Sequence, residues 1–466
     1  MLMRKSSLSS ASSMMFKVRR SPAKIVAPAG PTPHELKLLS DIDDQPGIRL
    51  HVQLVHFYSY NPSMAGKDPV HIIKEALSKV LVFYYPLAGR LREGTNGKLM
   101  VDCTAEGVLF IEADADVTLD QFGVDIMPPF PCSHELLYLA PSFDKGIINT
   151  PLLLIQVTRL KCGGFIFAIR TNHTMYDGAG MGLFLNAIAE IAQVHQNLPS
   201  PQCGVGIFFV PETHQELHPS SLNTNNNNNR FMTTKVSLPP KLARLPSSLA
   251  QKRSMHCATS SLLTLLILSP PLRFSLHSCG VVVQLFNPPL PEGYYGNTFV
   301  VLWVVSTVGM LCGQPLSYAL ESVKKSKNEA SEEYVHSTID RWAVMGKPPF
   351  TPFASAPETF VVSDNKKSAF RDVDFGWGKP LYSGLAEIGN KAGVSCYFAH
   401  TNSKGEHGRL VFICLLEEEM KRFQKELNGI LPSTMKKILS IQFPSSSGWL
   451  ADLNIEYACV STYNWF

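Results

Sequence analysis

Residues 173 to 177 read His-Thr-Met-Tyr-Asp, with Gly178 next, directly after a strand-like run from Phe165 to Arg170. A neutral imidazole held at a strand end can take the proton of a hydroxyl as that oxygen attacks an activated carbonyl. It can then hand the proton to the leaving group. Such a base contributes about 10²–10⁴ in rate, equivalent to about 3–5 kcal/mol of barrier. The aspartate four positions on need not touch substrate; it can steady the turn, and Gly178 permits that turn to be tight. A plainer reading also fits, with the histidine closing a strand and the aspartate capping the next helix. A second cluster, Asp374-Phe375-Gly376-Trp377-Gly378, gathers aromatic and glycine residues far downstream.

Other candidates carry less chemistry. His336-Ser337-Thr338-Ile339-Asp340 repeats the spacing, but in charged surroundings and with no strand leading in, so it reads as a helix surface. His214-Gln215-Glu216-Leu217-His218 misplaces the glutamate that HExxH needs, and Pro219 follows at once, so no metal is expected. No GxSxG elbow is present, which argues against a serine hydrolase of that type.

The elements that must position these residues are legible in places. Asp68-Pro69 is an N-cap with proline at the first helical position. Ile72, Ile73, Ala76, Leu77, Val80 and Leu81 then repeat at helical spacing. Leu152 to Leu160, the turn Lys161 to Gly164, and Phe165 to Arg170 read as a hairpin. Leu183, Ala187, Ile188 and Ile191 mark a helix behind Gly180. Residues 195 to 231 are polar and include the run Asn225 to Asn229, and 258 to 278 show no sustained period. Order returns at Asn287. Thr298 to Gly313 reads as a buried strand and its exit, Leu316 to Val323 as a helix, and Val411 to Leu416 as a strand entering a helix at Glu417.

At 466 residues the chain suits two domains. Its 45% hydrophobic and 17% charged residues fit a globular protein. The net charge of +4 is dispersed, so nothing calls for a nucleic-acid partner, although it suits a phosphorylated ligand. Ten cysteines without a CxxC pair read as reduced thiols of a cytosolic protein. No apolar run reaches the ~20 residues of a spanning helix. The acid-free, Ser-rich opening matches either an organelle transit peptide or an upstream start that adds unstructured residues.

Four further segments join the first two clusters. They are Tyr85-Pro86-Leu87-Ala88-Gly89-Arg90; Pro31-Thr32-Pro33 with Leu39-Ser40-Asp41-Ile42-Asp43; Gly293-Tyr294-Tyr295-Gly296-Asn297; and Val362-Ser363-Asp364-Asn365 leading into Asp374. In this order the set resembles the BAHD family of acyl-CoA-dependent acyltransferases, over residues 15 to 200 and 286 to 430. The opening and the Ile148-to-Asp177 stretch are most similar to its alcohol acyltransferase branch, which includes benzyl alcohol benzoyltransferases.

The resemblance implies an α/β fold of the two-domain chloramphenicol acetyltransferase type, with mixed sheets, flanking helices and His173 at the domain interface. A channel would admit acyl-CoA from one side and alcohol from the other. His173 would be the general base, and Asp177 would point away to support its loop. Trp377 would lie near the site, positioning substrate or steadying an oxyanion, or else pack in the core. Asp374, Phe375, Gly376, Gly378 and Gly178 would be structural.

The expected reaction moves an aliphatic or benzoyl group from acyl-CoA to a small alcohol. Acyl-CoA is a co-substrate rather than a bound cofactor, and no membrane is involved. The implied protein is a cytoplasmic monomer. An amine or a hydroxycinnamoyl-type acceptor is the alternative, as is an impaired product of a disrupted gene.

Five segments follow: an unstructured extension 1–14, an N-terminal domain 15–194, a low-complexity linker 195–235, a C-terminal domain 236–430 and an atypical tail 431–466. One departure bears on activity. Family members carry Asn-Ala-Arg-x-Arg where this chain reads Val281-Val282-Val283-Gln284-Leu285, so Val283 replaces the arginine that pairs with the aspartate. Asp177 would then stand unpaired, at a cost of about 1–3 kcal/mol if buried. A reading-frame discontinuity between 202 and 285 would account for it.

Overall fold

The computed structural model describes residues 16–138, 146–197, 273–281, 293–335, 359–386, 394–430, 440–442 and 455–463. Within it, the run Phe165–Asn172 is buried at every position, the mark of a central strand covered on both faces. This strand, β9, lies in a sheet with β1 (Val18–Arg20), β2 (Lys24–Val26), β4 (His51–Tyr58), β7 (Val108–Ala115), β8 (Leu153–Leu160) and β13 (Tyr382–Leu385). The order is β1-β7-β8-β9-β4-β13, with β2 also on β7. A smaller sheet joins β3 (Leu36–Leu38), β6 (Leu99–Asp102) and β5 (Arg90–Glu93).

The other large sheet holds β10 (Arg273–Val281), β11 (Phe299–Thr307), β12 (Thr359–Asp364), β14 (Val394–Thr401), β15 (His407–Leu416), β16 (Ser440–Gln442) and β17 (Ile455–Tyr463). Its order is β11-β10-β12-β14-β15-β17-β16. The helices are α1 (Pro69–Phe83), α2 (Ser133–Leu136), α3 (Gly178–Asn197), α4 (Val308–Gly313), α5 (Leu316–Asn328) and α6 (Glu417–Ile430).

Local chemistry explains the first half. The Asp68 carboxylate accepts from the Val70 N–H at 3.2 Å and Pro69 fixes the first helical φ, so α1 begins where expected. Its Ile73, Ala76, Leu77 and Val80 meet Phe184, Leu185 and Ile188 of α3 and Leu154 of β8 in one core. The β8–β9 hairpin turns through Gly163 at φ +80°, a conformation open to glycine. Gly89 of the early motif is required by space: a Cβ there would lie 2.3 Å from the Asp102 carbonyl oxygen.

Several expectations are corrected. Within 431–466, read as an atypical tail, β17 runs antiparallel along β15 from Gly408↔Tyr463 to Leu416↔Ile455. A strand also starts at Arg273, inside the stretch that showed no period, because β11 and β12 offer ladders on both its sides. The Thr298-to-Gly313 run is buried at Val300, Val301 and Leu302 but 71% exposed at Val305, and ends in α4. Sheet membership also crosses the expected domain border. β13 lies within 236–430 yet pairs with β4 of the first sheet, Tyr382↔Phe57 through Leu385↔Leu54. The segment leading into it, with Asp374 to Gly378, therefore ties the two sheets together.

Among the described residues, Cys103, Cys162 and Cys414 are free thiols. Among the described residues no helix is long and apolar enough to cross a membrane, and no cluster of His, Cys, Asp and Glu could hold a metal ion.

Candidate active site

His173 begins a short 3₁₀ turn, His173–Met175, at the end of β9. Its backbone N–H donates to the Leu50 carbonyl at 2.9 Å. The Asn172 side chain caps the turn, accepting from the Thr174 N–H at 3.1 Å and the Thr174 hydroxyl at 2.8 Å. Asn172 and Thr174 are fully buried, while His173 between them keeps partial exposure. A rigid strand thus presents one imidazole out of a packed layer. Burial holds that ring below its ordinary pKa, outweighing its own carbonyl, Asp177 and Asn297, which favour the charged form. At neutral pH it is a free base.

Asp177 is not left unpaired. Its Oδ1 accepts from the N–H groups of Ala179 at 2.9 Å and Gly180 at 3.0 Å, the first turn of α3. Its Oδ2 accepts from the N–H of Thr298 at 3.0 Å and the Thr298 hydroxyl at 2.9 Å. The carboxylate therefore caps a helix and fastens a distant segment at once. Val283 lies outside the described residues, but the penalty inferred from it does not arise, because four donors satisfy the aspartate.

Gly178 needs a different account from the one its turn suggested. It does not adopt a positive φ. Instead a Cβ there would lie 3.0 Å from both Asn365 Oδ1 and Ser368 Oγ, so the close approach of that loop leaves little room for a side chain. Gly180 is still more constrained: its Cβ would fall 1.8 Å from the Tyr295 carbonyl oxygen.

The 293–298 segment supplies residues to which sequence reasoning gave no role. The Asn297 amide Nδ2 donates to the His173 carbonyl at 2.9 Å and to Asp43 Oδ1 at 2.8 Å. The Asn297 backbone N–H reaches the same Asp43 oxygen at 2.8 Å. Ser40 Oγ donates to Asp43 Oδ2 at 2.6 Å. Burial raises Asp43 to about 6, against the Ser40 and Asn297 hydrogen bonds that favour its charge. Phe299 stands beside the imidazole, ring centroids 5.9 Å apart. The only available signal was that Asp43 and Asn297 fall in two of the resembling motifs.

The second cluster is elsewhere. Asp374 Oδ1 accepts from the N–H groups of Gly376 at 2.7 Å and Gly378 at 2.8 Å. Those glycines adopt φ +108° and +95°, which disfavour any side chain. Phe375 packs on Phe167 and Tyr58, and the Tyr58 hydroxyl donates to the Val373 carbonyl at 2.8 Å. Trp377 is buried edge-on against Phe165 at 5.3 Å. Phe165 opens β9 and His173 follows its end, so strand rise puts roughly 25 Å between them. The structure does not bring Trp377 to His173; its surroundings are those of a core residue. His214, His218 and the second HxxxD from His336 to Asp340 lie outside the described residues.

Comparison with known proteins agrees with this architecture. A family profile described as Transferase family matches residues 16–261 and 282–429. The chain is 48% identical over 465 residues to 13-hydroxylupanine O-tigloyltransferase of Lupinus albus, covering 91% of this chain and 97% of that protein. It is 44% identical to benzyl alcohol O-benzoyltransferase of Nicotiana tabacum, covering 90% and 95%. The solved structure of vinorine synthase superposes with a TM-score of 0.59 at 20% identity, covering 90% of this chain and 99% of that one. The structure of F. sporotrichioides TRI101 complexed with coenzyme A and T-2 gives a TM-score of 0.58 at 16% identity, covering 85% of this chain and 98% of that one. The fold is therefore the α/β, chloramphenicol acetyltransferase-like one. This chain belongs to the Transferase family, the BAHD acyl-CoA-dependent acyltransferases.

Proposed function

We propose that this acyltransferase moves an aliphatic or benzoyl group from its coenzyme A thioester to the hydroxyl of a small alcohol, with His173 as general base. The observation that carries the reading is the placement of that ring: at the end of a central strand, partly exposed, and flanked by buried neighbours. The imidazole takes the hydroxyl proton as the alcohol oxygen bonds to the thioester carbonyl carbon. The carbon–sulfur bond then breaks, and the imidazolium protonates the departing thiolate. Ester and free coenzyme A thiol leave, and the ring is neutral again. No acyl-enzyme is needed, because the thioester is already activated.

The named acceptor of the tobacco relative is benzyl alcohol, which supports a small alcohol here. The lupin relative is named for a hydroxylated acceptor and a tigloyl group, which supports an aliphatic donor. We take the protein to act as a cytoplasmic monomer with acyl-CoA as transient co-substrate. The test is thiol release from a panel of acyl-CoAs, each with and without a panel of alcohols. Release should require alcohol and vanish in His173→Ala. Equal release by that variant would remove His173 from the reaction.

A further inference from the structure

We propose that Asn297, braced by Asp43, is a positioning residue that fixes the orientation and tautomer of His173. The proposal rests on the general-base reading above and deepens it. Asn297 is completely buried, and both hydrogens of its amide are spent, one on the His173 carbonyl and one on Asp43 Oδ1. Its own N–H goes to the same Asp43 oxygen, so the side chain cannot rotate without losing a bond. Ser40 closes the other side of the carboxylate. The chain of contacts runs from Ser40 through Asp43 and Asn297 to the residue that carries the base.

Two buried atoms remain without a hydrogen-bond partner here: Asn297 Oδ1 and His173 Nδ1. One can only accept; the other donates if it holds the proton. The Asn297 side chain is near enough to the ring to favour its charged form. The two are not bonded to one another in this structure; a small turn of the ring that brings Nδ1–H onto Asn297 Oδ1 would satisfy both. Nε2 is then left with its lone pair for the substrate hydroxyl. The other acceptor for Nδ1 is the histidine's own carbonyl, whose second lone pair stays open beside the Asn297 Nδ2 bond, so the asparagine then acts by holding that carbonyl in place. Either way the asparagine governs which nitrogen is free.

The experiment combines kinetics with the ¹⁵N imidazole spectrum of protein labelled at histidine, the His173 signals being assigned by their loss in His173→Gln. Asn297→Ala should lower kcat about 10- to 100-fold, as expected when a reacting group loses its orientation. Both KM values should stay near those of the native protein, and the His173 nitrogens should shift from a single Nδ1–H tautomer to a mixture. Asp43→Asn keeps an acceptor oxygen for Asn297 and should rescue both readouts relative to Asp43→Ala. Unchanged His173 nitrogen signals in Asn297→Ala overturn the proposal, as does a kcat loss no larger than the loss of folded protein. If the native protein shows no transfer at all, the base assignment fails, while the tautomer measurement still decides the positioning role.

Discussion

Thr298 gives both of its donors to one oxygen of Asp177, the N–H at 3.0 Å and the hydroxyl at 2.9 Å. With Asn297 on the His173 carbonyl, two adjacent residues hold the two ends of the turn that carries the base. The first sheet provides the turn, and the segment entering β11 clamps it.

Thr298→Val keeps the shape and the backbone donor but removes the hydroxyl. The buried Asp177 oxygen then lacks one partner, at a cost of about 1–3 kcal/mol. Denaturant unfolding should show that loss, and kcat should fall with it. An unchanged midpoint would mean that the hydroxyl carries no weight.

Activity should persist into mild acid. The neutral ring is the active form, and burial holds its pKa below the ordinary value of 6.5. As pH falls, kcat/KM should therefore stay level through that value and decline only below it. A pH–rate profile with an alcohol that does not titrate checks this; an acid limb centred above 7 contradicts it.

Gly180→Ala should act on both structure and rate. Its Cβ would sit 1.8 Å from the Tyr295 carbonyl oxygen, so α3 and the 293–298 segment must part. Overpacking of this kind costs about 1–3 kcal/mol. Gly309→Ala in α4, with nothing within 4 Å of the added carbon, is the control and should be neutral or slightly stabilising. Thermal melts and kcat of both variants make the comparison.

Trp377→Ala should separate stability from catalysis. The indole packs on Phe165, and its loss should cost about 3–5 kcal/mol. Per folded molecule, kcat and both KM values should match the native enzyme, because His173 stands at the opposite end of β9. A kcat loss at full folding would return Trp377 to the active site.

Much was legible where the signal is local. Asp68 and Pro69 start α1, two apolar runs joined through Gly163 make the β8–β9 hairpin, and His173 follows its strand, because each depends on neighbours a few positions away. Gly376 and Gly378 were expected to be structural only through the resemblance, and their positive φ appears in the folded chain. Two errors came from arguing without partners. Asp177 was judged unpaired from a missing arginine, and β17 went unread because its meaning appears only when β15 lies beside it.

The sequence by itself determined the chemistry on offer: an imidazole after a strand, an aspartate four residues on, and a family of acyl transfer. Tertiary structure decided what holds that imidazole. Asp43 and Asn297 are 254 residues apart, and Asn297 and the His173 carbonyl 124. A hydrogen bond across such a span leaves no local periodicity, and an asparagine in a turn reads the same whether it meets water or a buried carboxylate. Folding removes the water, and the few partners within reach then fix its role.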